Sequence, residues 1–167
     1  ADPSQQLAFA DGELIKQLVE GAAYLFSNDY EAALITKKTG WSDAEIAERV
    51  GVRVITHGKD GVVVHDAAGL TWEVAAIADV RAVDPTGVGD SFRAGFIAGV
   101  AAGLTLERSA QVGCTIAASV VETTGTQEYS LTADSFLTRF EANYGAEARM
   151  DVAEFLAIGV PKLSDSV

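Results

Sequence analysis

In the stretch Asp84-Pro85-Thr86-Gly87-Val88-Gly89-Asp90, residue type and spacing could do chemistry. Two glycines in a strand-to-helix turn let backbone N–H groups crowd round an anion, because glycine reaches left-handed backbone angles and a helix's first amides have no internal acceptor. Gly87, Val88 and Gly89 would supply those donors, and the Asp90 carboxylate sits where an arriving hydroxyl would lose its proton. That layout suits phosphoryl transfer, where charge on the phosphate must be held while a base acts on the attacking oxygen. Other phosphate motifs fit badly. Gly87-Val88-Gly89-Asp90-Ser91-Phe92 lacks the third glycine of a dinucleotide fingerprint, and no Gly-Lys-Ser/Thr occurs in the chain. Arg93, three residues after Asp90, shares its helix face; it could reach a transferred phosphate or simply pair with an acid.

Three further stretches carry residues of interest, each with a plainer reading beside it. Asn28-Asp29-Tyr30-Glu31 has the spacing of a capping box, with Asn28 as cap and Glu31 at the third helical position. One amide and one carboxylate also suit Mg²⁺, which takes oxygen ligands and keeps several waters. Val52 to Val64 reads as two β-branched runs joined by the turn Thr56-His57-Gly58-Lys59-Asp60-Gly61, in the plain reading a hairpin. Glu122-Thr123-Thr124-Gly125-Thr126-Gln127 closes a long apolar helix, where Gly125 would ordinarily be a C-cap.

Taken in order, these stretches closely resemble the ribokinase-like (PfkB) carbohydrate and nucleoside kinases. In that family an Asp, a Thr, a small-residue triplet and the catalytic Asp open a helix, and Asp84, Thr86, Gly87 to Gly89 and Asp90 fill those places. Val88 stands where Ala or Gly is more usual, which narrows the loop without removing its donor. The resemblance implies that Asp90 is the general base and that the amides of Gly87, Val88 and Gly89 hold developing charge. It implies that Asn28 and Glu31 organise Mg²⁺, and that Thr56, Gly58 and Gly61 line the ribose and phosphates of ATP. Gly125 would pass near the adenine, and Asp84, Thr86 and Gly125 would form a site for a monovalent cation, K⁺; by its spacing from Asp90, and not by the resemblance, Arg93 is counted with the nucleotide-binding residues. The acceptor would be a primary hydroxyl of a nucleoside or sugar. Asp2-Pro3-Ser4-Gln5-Gln6, the Asp84 to Phe96 segment and Thr124 to Tyr129 look most like bacterial adenosine kinases, with ribose or fructose kinases as the alternative.

The implied fold is a layered α/β/α arrangement, of which residues 1–158 are expected to form the C-terminal portion with a largely parallel sheet, residues 159–167 being a flexible tail. Family members carry further strands, a small β lid and a first glycine-rich signature upstream of the point matching Ala1. The expectation is therefore the C-terminal half of a kinase, doubtful as an enzyme by itself; a non-catalytic nucleotide-binding fragment, or an enzyme completed by a second polypeptide, are the alternatives. The resemblance also allows a homodimer of the full-length protein.

Pattern places helices over 11–20, 29–38, 42–49, 90–102, 106–122, 132–144 and 151–158, and strands over 23–27, 52–56, 62–65, 70–75 and 80–83. The early alternation of helix and strand argues for α/β layering. At 167 residues and 49% hydrophobic content the chain can bury a sizeable core, and its net charge of −12 disfavours nucleic acid and acidic membranes as partners. No apolar run reaches the roughly 18 residues of a membrane span, so a cytoplasmic enzyme is expected. Cys114 is the single cysteine, among apolar neighbours, and reads as a buried thiol. His57 and His65 lack partners at metal-ligand spacing, and Trp41 and Trp72 read as packing residues.

Overall fold

A computed structural model describes residues 1–158; the tail 159–167 lies outside the described residues. The chain divides after Ala76 into two compact units.

The first unit opens with a short turn of 3₁₀ helix, Ser4–Ala8, and then alternates helix and strand. Each helix start is marked in the sequence. The Asp11 side chain accepts from the Leu14 N–H at the head of α1 (Gly12–Val19), and reciprocal capping boxes at Asn28/Glu31 and Ser42/Glu45 open α2 (Asp29–Thr39) and α3 (Asp43–Arg49). Between them run β1 (Tyr24–Asn28), β2 (Val52–Thr56), β3 (Val62–Asp66) and β4 (Thr71–Val74), in the spatial order β1-β2-β3-β4. Leu25 of β1 packs with Ile15, Val19, Ile35 and Ile46 from the helices in an apolar cluster closed over by Trp41. Trp41 is also the seat for the Arg49 guanidinium, 4.4 Å from its ring. The Lys38 ammonium ties α2 to the opening turn by donating to the carbonyls of Leu7, Ala8 and Ala10.

The sheet corrects one expectation, since it is mixed rather than largely parallel. Only β1 and β2 run parallel, joined through α2 and α3; β2–β3 and β3–β4 are antiparallel hairpins. Their links, residues 57–61 and 67–70, are too short for the dozen or so residues that a parallel crossover takes. Ala1 extends the sheet beside β1: its nitrogen donates to the Tyr24 carbonyl and its carbonyl accepts from the Phe26 N–H, in the manner of a parallel ladder.

The second unit is helical: α4 (Val88–Ala101), α5 (Leu106–Val121) and α6 (Ala133–Ile158). The strand expected at 80–83 is absent. The amides of Val83 and Asp84 instead both donate to the Val121 carbonyl at the end of α5, at 2.8 and 3.1 Å. Helix α6 changes direction at Gly145 (φ 89°, ψ 167°), between the two helices that the sequence pattern separates. Its Phe136, Phe140, Ala148 and Val152 form a buried cluster with Val112 of α5. Cys114 is buried in the same unit and hydrogen-bonded to the Tyr144 side chain; burial pushes its thiol up to about 12, which makes it an inert packing residue.

Helices α4 and α5 come close enough that a side chain on Gly113 would meet the Phe92 carbonyl at 2.7 Å and the Phe92 ring at 2.8 Å. Gly113→Ala therefore forces apart the pair that carries the Asp84–Asp90 loop. Denaturant unfolding of the full-length protein is expected to show a loss of about 1–3 kcal/mol for this single added methyl group.

Candidate active site

The loop from Asp84 to Asp90 is held by its first residue. Asp84 Oδ1 accepts the Thr86 N–H at 2.9 Å, and Oδ2 accepts the Gly125 N–H at 3.0 Å. The Thr86 hydroxyl adds a third bond, and these bonds, the hydroxyl's first and then those from Gly125 and Thr86 amides, hold the Asp84 carboxyl below the usual 3.8. Two loops distant in sequence, 84–90 and 122–127, are thereby clasped by one carboxylate. The expected trio of Asp84, Thr86 and Gly125 is thus brought together.

Beyond the clasp the chain turns at Gly87, which caps α4 with φ 79° and ψ 0°. A side chain there would be strained by the left-handed angle and would also strike Thr126, 2.9 Å away. The turn starts α4 at Val88, two residues earlier than the sequence pattern placed it. The Val88 amide is directed to the Pro85 carbonyl at 3.3 Å, a long bond, while the first-turn amides of Gly89 and Asp90 have no intrahelical acceptor by position. Asp90 projects from this turn with 78% of its side chain exposed and pairs with the Arg93 guanidinium one turn along. The arrangement offers a helix N-terminus for an anion and a solvent-facing carboxylate beside it.

A second set of bonds, which the sequence did not disclose, buttresses the loop from α6. Arg139 donates both bonds of its Nη2 to Glu122, each at 2.8 Å, and Glu122 in turn accepts the Arg81 N–H at 3.4 Å. Asn143, one turn later, accepts the Ala78 N–H at 2.8 Å. Arginine at 139 and asparagine at 143 fall at helical spacing, but nothing local in the sequence shows which backbone they reach.

In the first unit, the register pairs Asn28 with Thr56 at the C-terminal ends of the parallel strands. This is the end of an α/β sheet at which ligands collect. Asn28 Oδ1 takes the Glu31 N–H at 2.8 Å and Glu31 Oε2 takes the Asn28 N–H at 2.9 Å, so the capping box is real. The box uses one Glu31 oxygen, and Glu31 also lines a groove with Ser4, Gln5, Phe9 and Tyr30. The Thr56–Gly61 loop is a 3₁₀ turn over Gly58–Asp60, closed by a 2.8 Å bond from the His57 N–H to the Gly61 carbonyl. Gly61 (φ 103°) lies so close to β4 that a Cβ would sit 2.1 Å from the Val74 carbonyl. His57 has a partner after all: its Nδ1 is 2.7 Å from Asp29 Oδ1, linking the two motifs through strand register that spacing alone does not show.

The family model for PfkB carbohydrate kinases matches residues 1–133. The chain belongs to the PfkB family. A nucleoside kinase of Methanocaldococcus jannaschii is 31% identical over 84% of this PfkB chain and 46% of its own length, and a cytidine kinase of Thermococcus kodakarensis is 34% identical over 72% and 44%. The solved nucleoside kinase of Burkholderia thailandensis in complex with inosine superposes with a TM-score of 0.81 at 36% identity, over 86% of this chain and 47% of that one. The chain thus spans about half the length of these relatives. The ribokinase-like fold is shared. Among the described residues, no helix is long and apolar enough to cross a membrane.

The clasp has a pH signature. Because the folded carboxyl of Asp84 titrates below 3.8, its contribution to stability is complete above that value and is lost as the pH falls through the lower, folded value. Unfolding of the full-length protein followed from pH 6 to pH 2 (about the range that brackets an Asp carboxyl) is expected to lose this component in Asp84→Asn. A variant whose acid limb matches that of the native protein would remove the clasp.

Proposed function

We propose that this chain carries the phosphoryl-transfer half of an ATP-dependent kinase whose acceptor is a primary hydroxyl of a nucleoside. The observation that carries the reading is left-handed Gly87 at the head of α4, which sets first-turn amides beside the Asp90 carboxylate. The acceptor hydroxyl gives its proton to Asp90 while its oxygen bonds to the γ-phosphorus. The bond from that phosphorus to the bridging oxygen breaks, and ADP leaves with the electron pair. The amides of Gly87 and Gly89 hold the charge on the transferred group, with Val88 contributing less while its N–H is engaged by Pro85. Thr56, Gly58 and Gly61 line the nucleotide, and the loop at Gly125 lies by its base.

The residues present fit the ions. Glu31 has a carboxylate oxygen outside the capping box and would hold Mg²⁺ through its waters, with Asn28 fixing the orientation of that carboxylate. Bound there, Mg²⁺ would neutralise charge on the phosphates. No cluster of three or more His, Cys, Asp or Glu side chains suited to a metal exists among the described residues. K⁺ near Asp84, Thr86 and Gly125 enters as an enhancer only, because the protein's own N–H and O–H groups already draw those loops together.

Support for a nucleoside comes from the relatives, one named a cytidine kinase and another a nucleoside kinase solved in complex with inosine and with ADP-inosine. Adenosine is the first nucleoside we assign, with ribose and fructose as the sugar alternative. The full-length enzyme is placed in the cytoplasm, where ATP is available, free to form a homodimer.

Turnover of the full-length enzyme with ATP and a panel of adenosine, inosine, cytidine, ribose and fructose is expected to favour the nucleosides. In Asp90→Asn, kcat should fall roughly 10²–10⁴-fold without loss of nucleotide binding, as for removal of a positioned base. Unchanged turnover with weakened nucleotide binding would remove Asp90 from its role. Raising K⁺ at constant ionic strength should increase the rate without being required for it.

A further inference from the structure

The ladder between β1 and β2 ends at the pair Asn28 and Thr56, and from that level the two stretches part: one enters α2, the other the 3₁₀ turn. Just past it, His57 Nδ1 donates to Asp29 Oδ1 at 2.7 Å. An ionised carboxylate only accepts, so the hydrogen is on Nδ1 and the bond is charge-assisted. Both ends are anchored. The His57 N–H donates to the Gly61 carbonyl at 2.8 Å and its carbonyl accepts from the Asp60 N–H at 3.1 Å, so the residue that reaches across also closes its own loop. Asp29 stands between Asn28 and Glu31, whose reciprocal bonds fix the head of α2. The ring is the more enclosed partner, with 31% of its side chain exposed against 67% for Asp29.

We propose that His57 is a positioning residue: bonded to Asp29, it sets the Thr56–Gly61 turn at a fixed distance from the Glu31 carboxylate, so that a nucleotide seated on the turn and Mg²⁺ held through its waters at Glu31 reinforce one another. The proposal rests on the kinase reading above and deepens it. Neither segment sets that distance by itself. The bonds at Gly61 and Asp60 close the turn upon itself, and the capping box closes the head of α2 upon itself; the His57–Asp29 bond runs between them. Stability is a poor account of this bond, because a pair with so exposed a carboxylate contributes little to folding. Placement is what its loss would change. A nucleotide that settles the turn settles Asp29 through the ring, and an ion that settles Glu31 settles the same helix head. Each ligand then meets a seat the other has already ordered, and the coupling is reciprocal. His57 exchanges no proton and touches no reacting atom; it acts through the two segments it joins.

The experiment uses the full-length enzyme and ADP, whose affinity is measured by calorimetry in EDTA and again with saturating Mg²⁺; the ratio of the two affinities is the coupling. His57→Phe keeps an aromatic ring and removes its donor, Asp29→Ala removes the acceptor, and His57→Asn keeps an N–H near the place of Nδ1. The ratio is expected to fall roughly 3- to 10-fold in His57→Phe and in Asp29→Ala, the scale of one hydrogen bond to a charged group, and to fall no further in the double variant. His57→Asn should return it to within about twofold of the native value, as for a donor restored to the same acceptor. A ring that only stiffens the fold would weaken ADP equally with and without Mg²⁺ and leave the ratio unmoved. If His57→Phe does not fold, the fall in Asp29→Ala and its absence in His57→Asn carry the test. A native ratio of one, or a native-like ratio in either His57→Phe or Asp29→Ala, overturns the role of the tie while leaving the kinase reading in place. So does a further fall when Asp29→Ala is added to His57→Phe, since Asp29 then acts on the ion directly. A native protein that neither binds ADP nor transfers phosphate from ATP to a nucleoside or sugar overturns the kinase reading, and the tie with it.

Discussion

The Asp84 carboxylate accepts hydrogen bonds from the loop it begins and from the loop that follows α5, and the remainder of the candidate site hangs on that sharing. A carboxylate that takes three protein donors fixes the relative position of both walls. Gly87 can then turn left-handed beneath Thr126, a contact that tolerates no side chain. Only with that turn does α4 begin at Val88, and only then do its free amides and Asp90 lie side by side. The buttress from Arg139 and Asn143 works on the same two walls from behind, pinning Glu122 and the backbone at Ala78 and Arg81. The strand that the pattern predicts at 80–83 is traded for this arrangement: its amides hold the end of α5 instead of a neighbouring strand.

The first unit solves a related problem with a sheet. Parallel pairing of β1 and β2 ends with Asn28 opposite Thr56, so the capped start of α2 and the Thr56–Gly61 turn emerge at the same edge. The capping box does two things at once. It satisfies amides at the start of α2, and it orients Glu31 so that one carboxylate oxygen remains available. The capping of α2 by Asn28 and Glu31 and the ion-holding role proposed for them are therefore compatible in one geometry. The Asp29–His57 bond adds a lateral tie between the two motifs.

What was legible in the sequence was local. Capping residues, the glycines at 61 and 87 and the break before the last helix are short-range signals, because helix caps and positive φ are decided within a few residues. Hairpins at 52–74 were legible as runs and turns, yet the sheet's direction was not: pattern marks strands, while link length decides parallel or antiparallel pairing. Contacts that depend on tertiary register stayed hidden. Lys38 reaching three carbonyls of the opening turn, Arg139 on Glu122 and His57 on Asp29 all join residues 17 or more positions apart. Each is an ordinary polar residue until the fold says what stands opposite it.

The proposed binding of a triphosphate by an acidic chain looks contradictory only if net charge is taken as the operative quantity. Charges more than about 8 Å apart in solution are screened at physiological salt, whereas backbone amides at a helix start act at contact distance. The −12 of the whole chain therefore sets which anions fail rather than whether one binds. A long polyanion such as a nucleic acid must lie across the acidic surface and meets repulsion along its length. A nucleotide of the kind proposed above would be small enough to sit at the turn of Gly87 and Gly89, where the first-turn amides of α4 begin. Under the proposed function, selectivity for a small phosphate ligand would follow from the same charge balance that seems to oppose it.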